Sequence, residues 1–177
     1  MVHASRKPAR KLSLVHQPTL DAKTVRIAFA THDNKSVNQH FGSATQFSIY
    51  YICPKSWTLV ELIEFAKSPP GHDVNKLKQR VDALSECSAI YCNAIGVSAI
   101  KQLLVLNIKP INVDAGTEIK TLLHKLTTQW QANPNYWLAN IIRHDSKKTK
   151  VAKLADESAA QPSEKRLASL LDEEWEL

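Results

Sequence analysis

The chain has 177 residues, of which 44% are hydrophobic and 23% are charged, and its formal net charge is +6. These values predict one globular domain with flanking segments, and the short apolar runs exclude a membrane-spanning helix, which needs about 20 residues. The N-terminal residues lack the apolar region of a secretory signal. Three cysteines, Cys53, Cys87 and Cys92, are too few for a disulfide framework, so we expect a cytoplasmic protein.

Positive charge is concentrated at the N-terminus. Residues 1–24 contain five basic residues and one acidic residue, whereas residues 143–177 contain seven basic and eight acidic residues. We predict a basic, flexible N-terminal tail over residues 1–24, an α/β domain over residues 25–142, and a charged C-terminal tail over residues 143–177 with a short amphipathic helix. A basic balance favours an anionic partner, such as nucleic acid, phosphate or an anionic cofactor, without selecting one.

The first part of the domain predicts three consecutive strands. Val25–Ala30, Gln46–Cys53 and residues 57–65 are rich in β-branched and aromatic residues. A short P-K-S turn separates the second and third runs, which therefore predict a hairpin. The segment between the first two strands, residues 31–45, is polar and irregular, and we expect a loop there.

The second part of the domain predicts helices that alternate with strands. A turn cluster at residues 68–73 ends with Asp73, which can begin the next helix. Pro110 places the last strand at a sheet edge. The predicted helices cover residues 74–85, 95–106 and 117–129, and the predicted strands cover residues 88–92 and 108–113. The order β-β-β-α-β-α-β-α predicts a five-stranded mixed sheet covered by helices.

Two loops are expected to meet beyond the carboxyl ends of the first and fourth strands, provided that these strands are neighbours. The first loop contains N-Q-H-F-G-S-A-T, and the second, N-A-I-G-V-S, leads into a helix whose N-terminus favours anions. Candidate cofactor-binding residues are His40, Phe41, Gly42, Ser43, Asn93, Gly96 and Ser98. His40 and Cys92 are the candidate metal ligands, and His32 could assist.

Each of these features also has a purely structural interpretation. A loop histidine such as His40 is commonly solvated, and Phe41 could fill the core. Gly42 could supply a positive φ in a turn. Cys92 ends an apolar strand, where cysteine commonly acts as a small hydrophobic residue. The spacing of Cys87 and Cys92 does not suit a zinc pair.

Motifs of catalysis and nucleic-acid binding are missing from the sequence. It contains no phosphate-binding glycine loop, no G-x-S-x-G nucleophile motif and no H-E-x-x-H zinc motif. The carboxylates are too scattered to hold the metal ions of a nuclease. The aromatic residues are not interleaved with basic ones on any predicted strand. We therefore expect neither an enzyme nor a nucleic-acid-binding protein.

Several stretches resemble a known family. R-I-A-F-A-T-H-D, V-N-Q-H-F-G-S-A and F-S-I-Y are followed by C-S-A-I-Y-C-N-A-I-G-V-S-A-I-K-Q-L-L. Together they resemble the dinitrogenase iron–molybdenum cofactor biosynthesis family, the small accessory proteins of nitrogen fixation. The resemblance implies a ribonuclease H-like fold without nuclease chemistry. It also implies a carrier that binds the iron–molybdenum cofactor or its iron–sulfur precursor and passes it between assembly proteins, the cluster donor and the scaffold.

The resemblance further implies that His40, the histidine of H-F-G, is the cluster ligand. One imidazole, with at most one cysteine, holds a preassembled cluster loosely enough for release, whereas four thiolates would retain it. The helix start at residues 96–98 would support the negatively charged cluster. Two other functions stay open: a metal-free interaction module that docks on nitrogenase or its assembly scaffold, and a regulator that binds a small molecule or nucleotide.

Overall fold

A computed structural model describes residues 10–13, 24–66, 74–134 and 136–143. The strands are β1 (Arg10–Ser13), β2 (Val25–Ala30), β3 (Ser36–Val37), β4 (Gln46–Cys53), β5 (Ser56–Glu64), β6 (Ala89–Cys92), β7 (Lys109–Asn112) and β8 (Thr117–Glu118). The helices are α1 (Val74–Asp82), α2 (Val97–Val105) and α3 (Ile119–Ala132), together with a 3-10 turn at Phe41–Ser43. Residues 136–143 are also helical. Within these ranges, no helix has the length and apolar character needed to cross a membrane.

The main sheet is mixed and has six strands in the order β1-β5-β4-β2-β6-β7. β4 runs antiparallel to both β2 and β5, whereas β2, β6 and β7 are mutually parallel. The first and fourth predicted strands are neighbours, as the convergence of the two loops requires, because Ala28 of β2 pairs with Ile90 of β6. Strands β3 and β8 form a separate two-stranded sheet.

The predicted mixed α/β architecture is confirmed, but the prediction of five strands is wrong. The additional strand of the main sheet, β1, lies inside the segment predicted to be a flexible tail, and it pairs with β5. An ion pair links these two strands, with Lys11 Nζ 2.8 Å from Glu61 Oε1. The other carboxylate oxygen, Glu61 Oε2, lies 2.6 Å from Arg26 Nη2. The other residues of the two predicted tails, and Asp73, lie outside the described residues, apart from Thr24 and Arg143.

The sheet is buried on both faces because its central strands carry apolar side chains in both directions. Along β2, Val25, Ile27 and Phe29 belong to one core, whereas Ala28 and Ala30 belong to the other. The first core is covered by α3 and residues 137–142, and the second by α1 and α2. The helix pair of the second core flanks the loops that follow β2 and β6.

Candidate functional site

The two loops predicted to converge are joined by backbone hydrogen bonds. The N–H of Asn93 donates to the carbonyl of Gln39 at 3.1 Å, and the N–H of Phe41 donates to the carbonyl of Ala94 at 2.9 Å. His40 stands between these two bonds, and its side chain is exposed. The backbone on either side of the imidazole is therefore fixed, while the ring is accessible.

Side-chain contacts also hold the loop around His40 in place. The Gln39 carboxamide accepts a bond from the N–H of Thr45 at 2.9 Å and donates to the Thr45 hydroxyl at 3.0 Å. Phe41 is fully buried and stacks on Phe47 with ring centroids 5.6 Å apart. Phe41 therefore fills the hydrophobic core, which was one of the two interpretations offered by the sequence.

Arg80 of α1 connects the end of this loop to the helix. Its guanidinium donates to the carbonyl of Ala44 from two nitrogens, at 3.2 and 2.7 Å, and to the carbonyl of Lys76 at 3.1 Å. The side chain is buried and lies over the ring of Phe65 at 4.9 Å. Because one rigid planar group bonds both segments, Arg80 fixes the first turn of α1 relative to the 3-10 turn.

A cavity of about 500 Å³ opens where three segments meet: residues 40–43, the first turn of α1, and residues 94–99. Five of the predicted site residues line it, namely His40, Gly42, Ser43, Gly96 and Ser98. Among the described lining residues, the titratable side chains are those of His40 and Lys76, and the remainder are small or apolar. His40 is therefore the exposed titratable side chain that the described loops bring to this cavity.

The start of α2 forms one wall of this cavity. Gly96 is the N-cap, with φ −76° and ψ 153°, and it makes no side-chain capping bond to the first turn. A side-chain carbon at Gly96 would meet no other atom within 4 Å, and the same is true of Gly42. The suggestion that Gly42 supplies a positive φ is wrong, because the glycine with positive φ in the described residues is Gly116.

Three predicted site residues do not line the cavity: Phe41, Asn93 and Cys92. Cys92 is fully buried, and its thiol donates a long bond to Asn112 Oδ1 at 3.6 Å. Burial raises the pKa of Cys92 to about 11. The Asn93 carboxamide is shielded from solvent and has no hydrogen-bond partner among the described residues. His32 is exposed on the same loop as His40 and also lies outside the cavity lining.

Sequence reasoning did not identify the contribution of α1. Lys76 and Leu77 line the cavity, and Arg80 supports it, although their predicted helix lies more than thirty residues from His40 in sequence. The apolar spacing of this helix indicated only that it packs on the sheet. The orientation of its first turn depends on the guanidinium bond to Ala44, which no local pattern indicates.

Comparisons with known proteins identify the family. A family model described as dinitrogenase iron-molybdenum cofactor matches residues 23–129. The chain is 35% identical to Protein NifX of Azotobacter vinelandii over 136 residues, which cover 77% of this chain and 85% of that protein. It is 31% identical to Protein NifX of Klebsiella pneumoniae over 121 residues, which cover 68% of this chain and 75% of that protein.

A shorter match involves a larger protein. The chain is 32% identical over 102 residues to the FeMo cofactor biosynthesis protein NifB of Frankia alni, covering 55% of this chain and 20% of that protein. The family match covers more than half of the chain. It confirms the resemblance to this family that the sequence motifs indicated. The chain belongs to the dinitrogenase iron–molybdenum cofactor family, as a NifX-type protein with a role in FeMo-cofactor biosynthesis.

Proposed function

We propose that the chain is a non-catalytic carrier that binds the iron–molybdenum cofactor or its iron–sulfur precursor in the cavity beside His40 and then releases it. The observation that carries this proposal is the position of His40. Its imidazole is exposed at the cavity, while backbone bonds on both sides fix the main chain around it. A ligand held in this way is ready to bind without a folding step.

The chemistry of the cavity suits a metal–sulfide cluster as cargo. Imidazole is an acceptable ligand for iron, and a single one forms one bond to a cluster that is already assembled. The His40 bond can then be exchanged for a ligand of the receiving protein. The cavity volume of about 500 Å³ is within the usual range of small-molecule sites.

Charge supports the same proposal. Metal–sulfide clusters of this kind carry net negative charge, and the cavity wall includes the start of α2, where the N-cap is Gly96. The chain as a whole carries a formal charge of +6, which would favour encounter with an anionic cargo. Gly42, Ser43, Gly96 and Ser98 would contact the cluster through small side chains and backbone groups.

The proposal includes a ribonuclease H-like fold, a cytoplasmic location and assembly proteins as partners. The strand order β5-β4-β2-β6-β7, with β4 antiparallel to the others, supports the ribonuclease H-like fold implied by the resemblance. The three cysteines are free thiols in the structure, which suits a protein of the reducing cytoplasm. Its partners would be the cofactor assembly proteins that donate and receive the cluster.

The test is anaerobic gel filtration of the full-length apoprotein mixed with isolated iron–sulfur precursor cluster. Iron and protein should elute together for the wild type. His40→Ala should weaken binding by at least about tenfold, because one metal–ligand bond is lost while the exposed ring contributes little to folding. His32→Ala is the matched control, since it removes another exposed histidine of the same loop that does not line the cavity.

Separate elution of iron and wild-type protein would refute the carrier function. Equal binding by His40→Ala and wild type would retain a carrier but remove His40 as its ligand. Circular dichroism of each variant would show that the fold is unchanged, so that a loss of iron reports the site.

One observation favours a second function, a metal-free module that docks on nitrogenase or its assembly scaffold. Helix α2 and the turn after it expose apolar side chains, with Val97 68% exposed, Leu104 51% and Val105 81%. Exposed apolar patches of this kind commonly contact other proteins. This alternative predicts a stable complex with a partner protein whether or not iron is present, and no iron in the peak of the isolated chain.

A further inference from the structure

Arg80 is a buried charge whose hydrogen bonds go to uncharged groups. The residue is 6% exposed, and its guanidinium donates to the carbonyls of Ala44 and Lys76 and lies over the ring of Phe65. Among the described residues, no carboxylate forms an ion pair with it. Burial also lowers the pKa of Arg80, because a charge removed from water is costly unless an opposite charge offsets it.

This charge adjoins the candidate cavity without lining it. Ala44, whose carbonyl accepts two of the bonds, directly follows the lining residue Ser43, and Lys76, whose carbonyl accepts the third, is itself a lining residue. The guanidinium is therefore held within one residue of the cavity wall on two different segments. Because Arg80 is buried and Leu77 and other apolar residues line the cavity, its field is screened less by water and salt than that of a surface charge.

We propose that Arg80 is a specificity-determining residue, the fixed positive charge that selects an anionic cargo, with the bound cluster serving as its counter-ion. This inference rests on the proposed carrier function and names the charge of the cargo. Arg80 acts through space, so release of the cluster breaks no bond to it. The reduced state of a cluster carries one more negative charge than the oxidised state and should therefore bind more tightly.

The test measures the affinity of full-length protein for isolated iron–sulfur precursor cluster by anaerobic titration, together with the reduction potential of the bound cluster. Arg80→Met should weaken binding by about tenfold and shift the potential to more negative values, because the nearby positive charge is lost. Arg80→Lys keeps the charge but cannot reproduce the planar set of bonds. It should retain the wild-type potential and bind at least about fivefold more tightly than Arg80→Met.

Arg26→Met is the matched control. It removes the same charge from the chain, but Arg26 pairs with the carboxylates of Glu61 and Glu86 and is not among the residues that line the cavity. Its loss should destabilise the fold without changing cluster affinity or potential. This control separates the charge beside the cavity from a general loss of stability.

An unchanged potential in Arg80→Met, or an Arg80→Lys protein that binds no better than Arg80→Met, would overturn this inference alone, since Arg80 would then act only by holding Ala44 and Lys76. Where urea titration shows that Arg80→Met is unfolded, the wild type decides. Its bound cluster should have a more positive potential than the free cluster, and a more negative one would overturn the inference. Failure of the wild type to bind any cluster would overturn both this inference and the carrier function.

Discussion

Cys92 should remain a protonated, unreactive thiol in the native protein, and this decides whether it is available as a metal ligand. Burial raises the pKa of Cys92 to about 11, against an ordinary value of 9.0. At pH 8 the thiolate fraction would fall from about 10% to about 0.1%, a factor of about 100, before any effect of restricted access is added. Burial likewise raises the pKa of Cys87 to about 12.

Cys53 provides an internal reference in the same molecule. Partial burial tends to raise its pKa, but the hydroxyl of Ser56 and backbone N–H groups of Lys55 and Ser56 lower it overall below the ordinary value. The Cys53 sulfur lies 3.0 Å from the Ser56 hydroxyl oxygen. Cys53 should therefore react faster than an ordinary thiol.

The assay is alkylation with iodoacetamide at pH 8, followed by digestion and mass spectrometry of each cysteine peptide over time. Cys53 should be modified at least about a hundredfold faster than Cys92 in native protein, and the rates should converge in denaturant. Native modification of Cys92 within a few-fold of Cys53 would refute the reasoning from burial. Cys92→Ser should then bind cluster with wild-type affinity, because its hydroxyl can replace the thiol bond to Asn112.

Three further changes have defined outcomes. Arg26→Met should lower the free energy of unfolding by about 3 kcal/mol in urea titrations, because buried Glu61 loses its closer partner; a loss below about 1 kcal/mol would contradict this. Gly96→Ala should fold normally but bind cluster more weakly, since the added methyl enters the open cavity; unchanged affinity would place the cargo elsewhere. Backbone N–H groups of Ser36 and Lys35 hold the pKa of Asp33 well below 3.8. The ionised carboxylate therefore stabilises the fold above that pH, and Asp33→Asn should lower the urea midpoint of unfolding at neutral pH. The difference in midpoint between wild type and Asp33→Asn should become smaller as the pH falls below 3.8. A difference that stays constant with pH would exclude this cause.

The central strands could be predicted from sequence because their own residues determine them. Val25–Ala30 and Gln46–Cys53 are rich in β-branched and aromatic residues, and both strands have the predicted bounds. Pro110 correctly indicated the edge of the sheet. Helices α1 (Val74–Asp82) and α2 (Val97–Val105) are shorter than predicted, whereas α3 (Ile119–Ala132) begins and ends later than predicted.

Other elements depend on residues distant in sequence and could not be predicted. Strand β1 has no apolar alternation, and its ion pair with Glu61 becomes apparent only when β5 is placed beside it. Strands β3 and β8 have two residues each, too few for a periodic signal. At the site, sequence indicated which loops would meet, whereas the contribution of Lys76 depends on how α1 packs against the 3-10 turn.

The edge position of Pro110 has a consequence for the behaviour of the protein at high concentration. The N–H groups of Lys109, at the start of β7, and of Val113, just after its end, donate inward to the carbonyls of Ser88 and Cys92, so alternation directs residues 110 and 112 outward. Proline has no N–H, which leaves the outer edge with a gap in its row of donors. An unpaired edge is otherwise a template on which further chains can add as strands. Pro110 therefore protects the folded chain against open-ended polymerisation at this edge without covering it, and it is not among the residues that line the cavity.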